Sequence, residues 1–124
     1  MTYCSINEIL IEKFPELNPI FNELFRLWGS DNPPPHCFFG DTLNPYITGL
    51  LRASDESDRI TKVFNFYEEL ALCDDEEVRN LLQVTLLEYL WDEKLVYERA
   101  CTYMLPATKQ INVYIGDYLN KPTS

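Results

Sequence analysis

Glycine is scarce in this sequence, with four among 124 residues, and histidine scarcer still, with one. A backbone cradle for phosphate needs a glycine-rich turn, and neither G-x-x-x-x-G-K-[ST] nor G-x-G-x-x-G occurs. Acid–base catalysis by histidine would rest on His36 alone, and no nucleophile signature adjoins it. Cys4, Cys37, Cys73 and Cys101 are scattered, without a C-x-x-C pair or the spacing of a zinc site, so reduced thiols and no metal are expected. Glu8, Glu12 and Glu16 step along one helical face, yet the Glu-x-x-His pairs of di-metal bundles are missing. No apolar run approaches the ~18 residues that span a bilayer. The opening MTYCSINEILIEKF has acids inside its apolar part and no early positive charge, unlike a secretory signal. These absences give the expectation of a soluble, cytoplasmic protein with no cofactor, no small-molecule substrate and no enzymatic activity.

What is present suits one packed domain over 1–124. A hydrophobic content of 46% with 14% aromatics supplies a core and argues against disorder. The stretch from Asp58 to Trp91 organises the rest. Ile60, Val63, Phe64, Tyr67, Leu70 and Ala71 recur at i, i+3, i+4, i+7, which places one apolar stripe on a helix. Val78, Leu81, Leu82, Thr85, Leu86, Tyr89 and Leu90 repeat the pattern after a joint at Cys73-Asp74-Asp75. The two stripes are expected to form the centre of the core, with the second helix its most buried element.

The flanking segments read as further helices. Ser5 and Glu8 fit a capping box for a helix from Ile6 to Phe14, with Ile6, Ile9, Leu10 and Phe14 buried. Asn18-Pro19 supplies an N-cap and a first-turn proline for a second helix, which Gly29 stops after Trp28. Residues 29–41 then read as a proline-rich connector, because Pro33-Pro34-Pro35 favours an extended path, with Phe38 and Phe39 pinning it to the core. The helical core proper spans 42–119. NPIFNELFR and NPYITGLLR share Asn-Pro, Leu and Arg at equal offsets, so Asn44-Pro45 reads as a second helix start of the same kind. Asp92 is a candidate cap for a helix over Glu93–Met104, and Ile111, Tyr114, Ile115 and Tyr118 stripe a last helix over Ala107–Leu119. INVYI within it also fits a short strand. Residues 120–124 are expected to fray. The fold expected is an all-α bundle of six to seven helices, with HEAT-like stacked pairs as one arrangement of it.

Charge is the other strong signal. The formal net charge is −10, and 12 of the 20 acids but only 3 of the 10 bases fall between Asp55 and Glu93. Such a field repels nucleic acid and anionic membranes and attracts basic protein surfaces. Helix-turn-helix recognition of DNA is excluded on the same ground, since it wants a basic helix. The candidate partner-binding residues are Glu68, Glu69, Asp74, Asp75, Glu76, Glu77, Glu88, Asp92 and Glu93. The four acids at Asp74–Glu77 exceed what capping one helix needs; one caps while the others follow the dipole, or the surplus is a binding surface.

The segment VFNFYEELALCDDEEVRNLLQVTLLEYLWDE resembles a family of small bacterial proteins built on a pattern close to vF.flE.la...d.ev.nll.v..lE.L. The match is carried by Val63, Phe64, Phe66, Glu68, Leu70, Ala71, Asp75, Val78, Asn80, Leu81, Leu82, Val84, Leu87, Glu88 and Leu90. Leu105-Pro106 and Thr108 resemble its closing motif. The similarity runs over about Tyr46 to Lys109. Members of that family look like immunity proteins encoded beside polymorphic toxins, including those of contact-dependent growth inhibition. The resemblance implies a non-enzymatic inhibitor of a cognate toxin domain, a basic nuclease suiting the acidic helices best. A nucleic-acid-mimicking inhibitor of a host or phage enzyme, or a small helical-repeat adaptor, is the alternative that the same acids and helices allow.

Overall fold

The computed structural model describes residues 1–29, 32–53 and 55–119. Among them seven helices pack as one all-α domain, and no strand occurs. We label them α1 (Ile6–Lys13), α2 (Asn18–Trp28), α3 (Pro35–Ala53), α4 (Ser57–Ala71), α5 (76–90), α6 (Lys94–Tyr103) and α7 (Pro106–Leu119). Residues 120–124, expected to fray, lie outside the described residues, as do Ser30, Asp31 and Ser54. No described helix is long and apolar enough to cross a membrane.

The hub is α3, which packs against α1, α2, α4, α5 and α6. The connector expected over 29–41 is therefore corrected in its second half. Pro35 occupies the first helical turn, where a missing N–H leaves no bond unmade, and Phe38 N–H donates to the Pro34 carbonyl at 2.9 Å. Phe38 and Phe39 are buried as expected, but as helical core residues; the Phe38 ring stacks on Phe21 with centroids 5.2 Å apart. The proline run is tied down by Asn7, whose amide donates to the Pro33 carbonyl at 2.8 Å. Pro45 stands inside α3, so NPYITGLLR is not a helix start and the two Asn-Pro segments are not equivalent. Asn44 turns its amide to the Thr85 carbonyl on α5, 3.0 Å away.

Helix ends show how local signals fared. Ser5 belongs to a 3-10 turn, Tyr3–Ser5, and its hydroxyl bonds back to Thr2, so the capping box does not form although α1 lies where the apolar spacing puts it. Gly29 ends α2 at φ +71°, a backbone region that side chains disfavour. The cap position of α6 is Glu93, not Asp92, and no side chain caps it. INVYI is helical.

One irregularity decides the shape of α5. Its middle, Leu81–Leu87, is a π-helix, in which Glu88 N–H reaches the Gln83 carbonyl five residues back. The wider turn slips the apolar stripe. Val78, Leu81, Leu82, Leu86, Leu87 and Leu90 are buried, whereas Tyr89, which α-helical spacing assigns to the stripe, is turned outward. Opposite the π segment α3 carries Gly40, where a Cβ would sit 3.4 Å from the Thr85 methyl. The π segment also packs on α4 and α7.

Tyr67 is fully buried on α4, and its hydroxyl has no partner among the described residues. Burial alone pushes its ionisation upward. A buried hydroxyl without a partner contributes only its desolvation cost. Tyr67→Phe is therefore expected to raise stability by up to about 1 kcal/mol, or leave it unchanged. Urea denaturation checks this; a clear loss would reveal a partner for the hydroxyl.

Candidate functional site

The nine acids singled out in the sequence divide by what they touch. Five are engaged within the fold. Glu68, on α4, accepts hydrogen bonds from Ala107 N–H (3.0 Å), Thr108 N–H (2.9 Å) and the Thr108 hydroxyl (2.9 Å). It thus caps α7 from another helix, with Pro106 in the first turn where no donor is lost. Glu88 accepts from the Tyr118 hydroxyl at 2.5 Å. Glu68 and Glu88 therefore both staple the last helix to the core. Asp75 is the true cap of α5: Oδ1 takes Glu77 N–H at 3.0 Å and Oδ2 takes Tyr3 N–H at 2.9 Å, anchoring the segment before α1. Glu93 pairs with Arg52 and Glu69 with Lys13.

The remaining four, Asp74, Glu76, Glu77 and Asp92, are exposed and make no salt bridge among the described residues. Three of them crowd the joint between α4 and α5. At the same joint Leu72 is 68% exposed, an aliphatic side chain on the segment that carries the three acids. Arg79 on α5 makes no salt bridge with them among the described residues and donates to the Cys73 carbonyl at 2.5 Å. Sequence reasoning missed Leu72. The available signal was its phase: Leu70 and Ala71 complete the α4 stripe, and a leucine one step further on faces away from it. Asp92 lies apart, at the other end of α5.

The engaged carboxylates report their contacts in their acidity. Partial burial pushes Glu68 upward, but the three hydrogen bonds from Ala107 and Thr108 outweigh it and hold the carboxyl below its ordinary range. Asp75 is lowered chiefly by the Tyr3 N–H, and Glu93 by Arg52. Glu68 thus titrates lower folded than unfolded. Its contribution is complete above the ordinary carboxylate range and fades as pH falls through the lowered value. Glu68→Ala is expected to cost about 1–2 kcal/mol at neutral pH, the scale of a lost cap with partial exposure. The cost should shrink as the pH falls through Glu68's lowered titration range, a trend that urea denaturation as a function of pH would measure. A constant difference would show that the carboxylate is not the active group.

His36 reaches Thr85 with Nδ1 2.5 Å from the hydroxyl, and its ring lies 6.2 Å from that of Tyr3. The four cysteines are free, and among the described residues no three His, Cys, Asp or Glu side chains gather in a way that could hold a metal.

A family model described as "Domain of unknown function (DUF7674)" matches residues 7–120. The chain belongs to this family. No curated protein and no solved structure matches the chain. The DUF7674 match spans the fold from the first turn of α1 to the end of α7, so the helix-to-helix caps and staples described above fall inside the domain. DUF7674 is uncharacterised and supplies no link to toxin immunity.

Proposed function

We propose that this protein is an immunity protein, a non-catalytic inhibitor that binds and neutralises a cognate toxin domain, a basic nuclease, in the cytoplasm. The observation that carries the reading is the joint between α4 and α5. Asp74, Glu76 and Glu77 stand there exposed and without a salt bridge among the described residues, at the same joint as exposed Leu72, while the acids that the fold needs, Glu68 and Asp75, are bonded to backbone N–H groups. An apolar anchor ringed by charge is the anatomy of a protein interface, with the charges speeding encounter and the anchor slowing escape. A nuclease presents a basic cleft shaped for phosphate, which such a surface complements. Glu76 and Glu77 stand in the first turn of α5 and Asp74 in the short joint that the Asp75 cap holds, so little ordering cost is left for binding.

Co-expression with a candidate toxin domain, sought first in the genes adjoining this one, tests the proposal. Cells carrying both should grow, and the two chains should purify as a complex whose association slows as salt rises. Toxin that kills with or without this protein would sink the reading.

A further inference from the structure

Two adjoining hollows lie beside the C-terminal half of α5, away from the acidic joint. One, of about 310 Å³, is lined by Val84, Thr85, Glu88, Tyr89, Asp92 and Leu119. The other, of about 200 Å³, shares Tyr89 and Asp92 and adds Thr48, Arg52, Glu93 and Val96. Among the described residues the first is lined by two carboxylates and no base. In the second, Arg52 is already bound by Glu93. Val84, Tyr89 and Leu119 are 41%, 41% and 45% exposed, so apolar surface lies open beside the charge.

Thr48, independent of the acids, marks the place as unfinished. It is only 5% exposed, and its hydroxyl has no partner among the described residues. Asn44, one turn before Thr48 on α3, is equally buried; its amide donates to the carbonyl of Thr85, a lining residue of the first hollow, and its own side-chain oxygen has no partner among the described residues. Buried polar atoms without partners are rare, and both of these can accept. Tyr89, which the π segment leaves outside the core stripe, stands on the wall that the two hollows share. Such segments are frequent at functional sites.

We infer that this paired hollow receives an arginine side chain from the partner protein. The inference rests on the reading of the protein as a binder of a basic partner, and it names the group that the partner presents. A guanidinium is planar, carries five donors and is weakly hydrated. It pairs bidentately with a carboxylate, here Asp92. Its face stacks on an aromatic ring, here Tyr89. The methylene stem lies along Val84 and Leu119, as arginine stems do on apolar surface. Donors left over turn toward the unpartnered hydroxyl of Thr48. Lysine brings a point charge and three donors, and so fits the charge but neither the plane nor the fork.

The test is a titration of the isotopically labelled full chain, followed by backbone amide shifts, with N-acetyl-arginine amide, its lysine counterpart and the uncharged citrulline counterpart. Arginine amide should give saturable shifts confined to the surroundings of Thr48 and Val84 to Asp92. Citrulline should bind at least ~10-fold more weakly, because the charge-assisted pair is lost. Asp92→Asn, at an exposed position, should weaken arginine binding about 5–10-fold with the remaining spectrum unchanged. Shifts scattered over all acidic surfaces, or equal binding of the arginine, lysine and citrulline amides, would overturn the inference. The two readings fail separately. A chain that neutralises its toxin without localised arginine shifts loses the hollow and keeps the function. Localised arginine binding by a chain that neutralises no toxin keeps the hollow alone.

Discussion

Leu82→Ala is expected to cost about 2–5 kcal/mol, within the range found for truncating a buried leucine. Leu82 is completely buried in the π segment of α5, which packs against α3, α4 and α7 at once. Truncation of a side chain buried in a segment held by three other helices leaves a cavity that closes only if those helices shift. For a domain with a typical total of about 5–15 kcal/mol this is a large share. Val84→Ala, two residues away and 41% exposed, is the internal control and should stay within about 0.5 kcal/mol of wild type. Chemical denaturation of both variants decides the matter. A Leu82→Ala loss as small as that of the control would place the core on the wrong side of α5.

The contrast between those two neighbours also shows where the fold was legible in the sequence. Apolar spacing reports burial through the helix period, and it does so well wherever the period is regular. Ile60, Val63, Phe64, Tyr67 and Leu70 are all buried on α4. It failed by one step on α5, because a π turn changes the period without any proline or glycine to announce it: Tyr89 is exposed and Leu87 buried. Proline misled in the opposite way. Pro35 and Pro45 read as signs of non-helical chain or of a helix start. Yet the first occupies a position that needs no N–H and the second stands inside α3 with its own ring on the exposed face, so the central helix is longer than the prolines suggest. Charge was legible only as a total. Glu68 and Asp75 look like any other acids along the chain, and only tertiary proximity to Thr108 and Tyr3 gives them their anchoring roles.

That division of labour among the acids sets the terms of the second large effect, the simultaneous replacement of Asp74→Lys, Glu76→Lys and Glu77→Lys. The three changes shift the local charge by about six units, two for each acid turned to lysine, while sparing Asp75, so the cap on α5 and the anchor on Tyr3 survive. Binding to the proposed basic toxin domain should weaken at least ~100-fold, because contacts that attract become like-charge contacts around Leu72. The loss should fall mainly on association at low salt and diminish as the ionic strength rises, since free surface charges act over about a Debye length. Some stability will go too, because Glu76 and Glu77 occupy the first turn of α5, where negative charge favours the helix dipole. Thermal melting alongside binding separates the two effects. Leu72→Ala gives an independent reading: it removes the apolar anchor, leaves the field intact, and should speed dissociation more than it slows association. A folded triple variant that binds and protects as well as wild type would reduce the joint to a solvated face. The arginine hollow beside Tyr89 and Asp92 would then be the next surface for an interface.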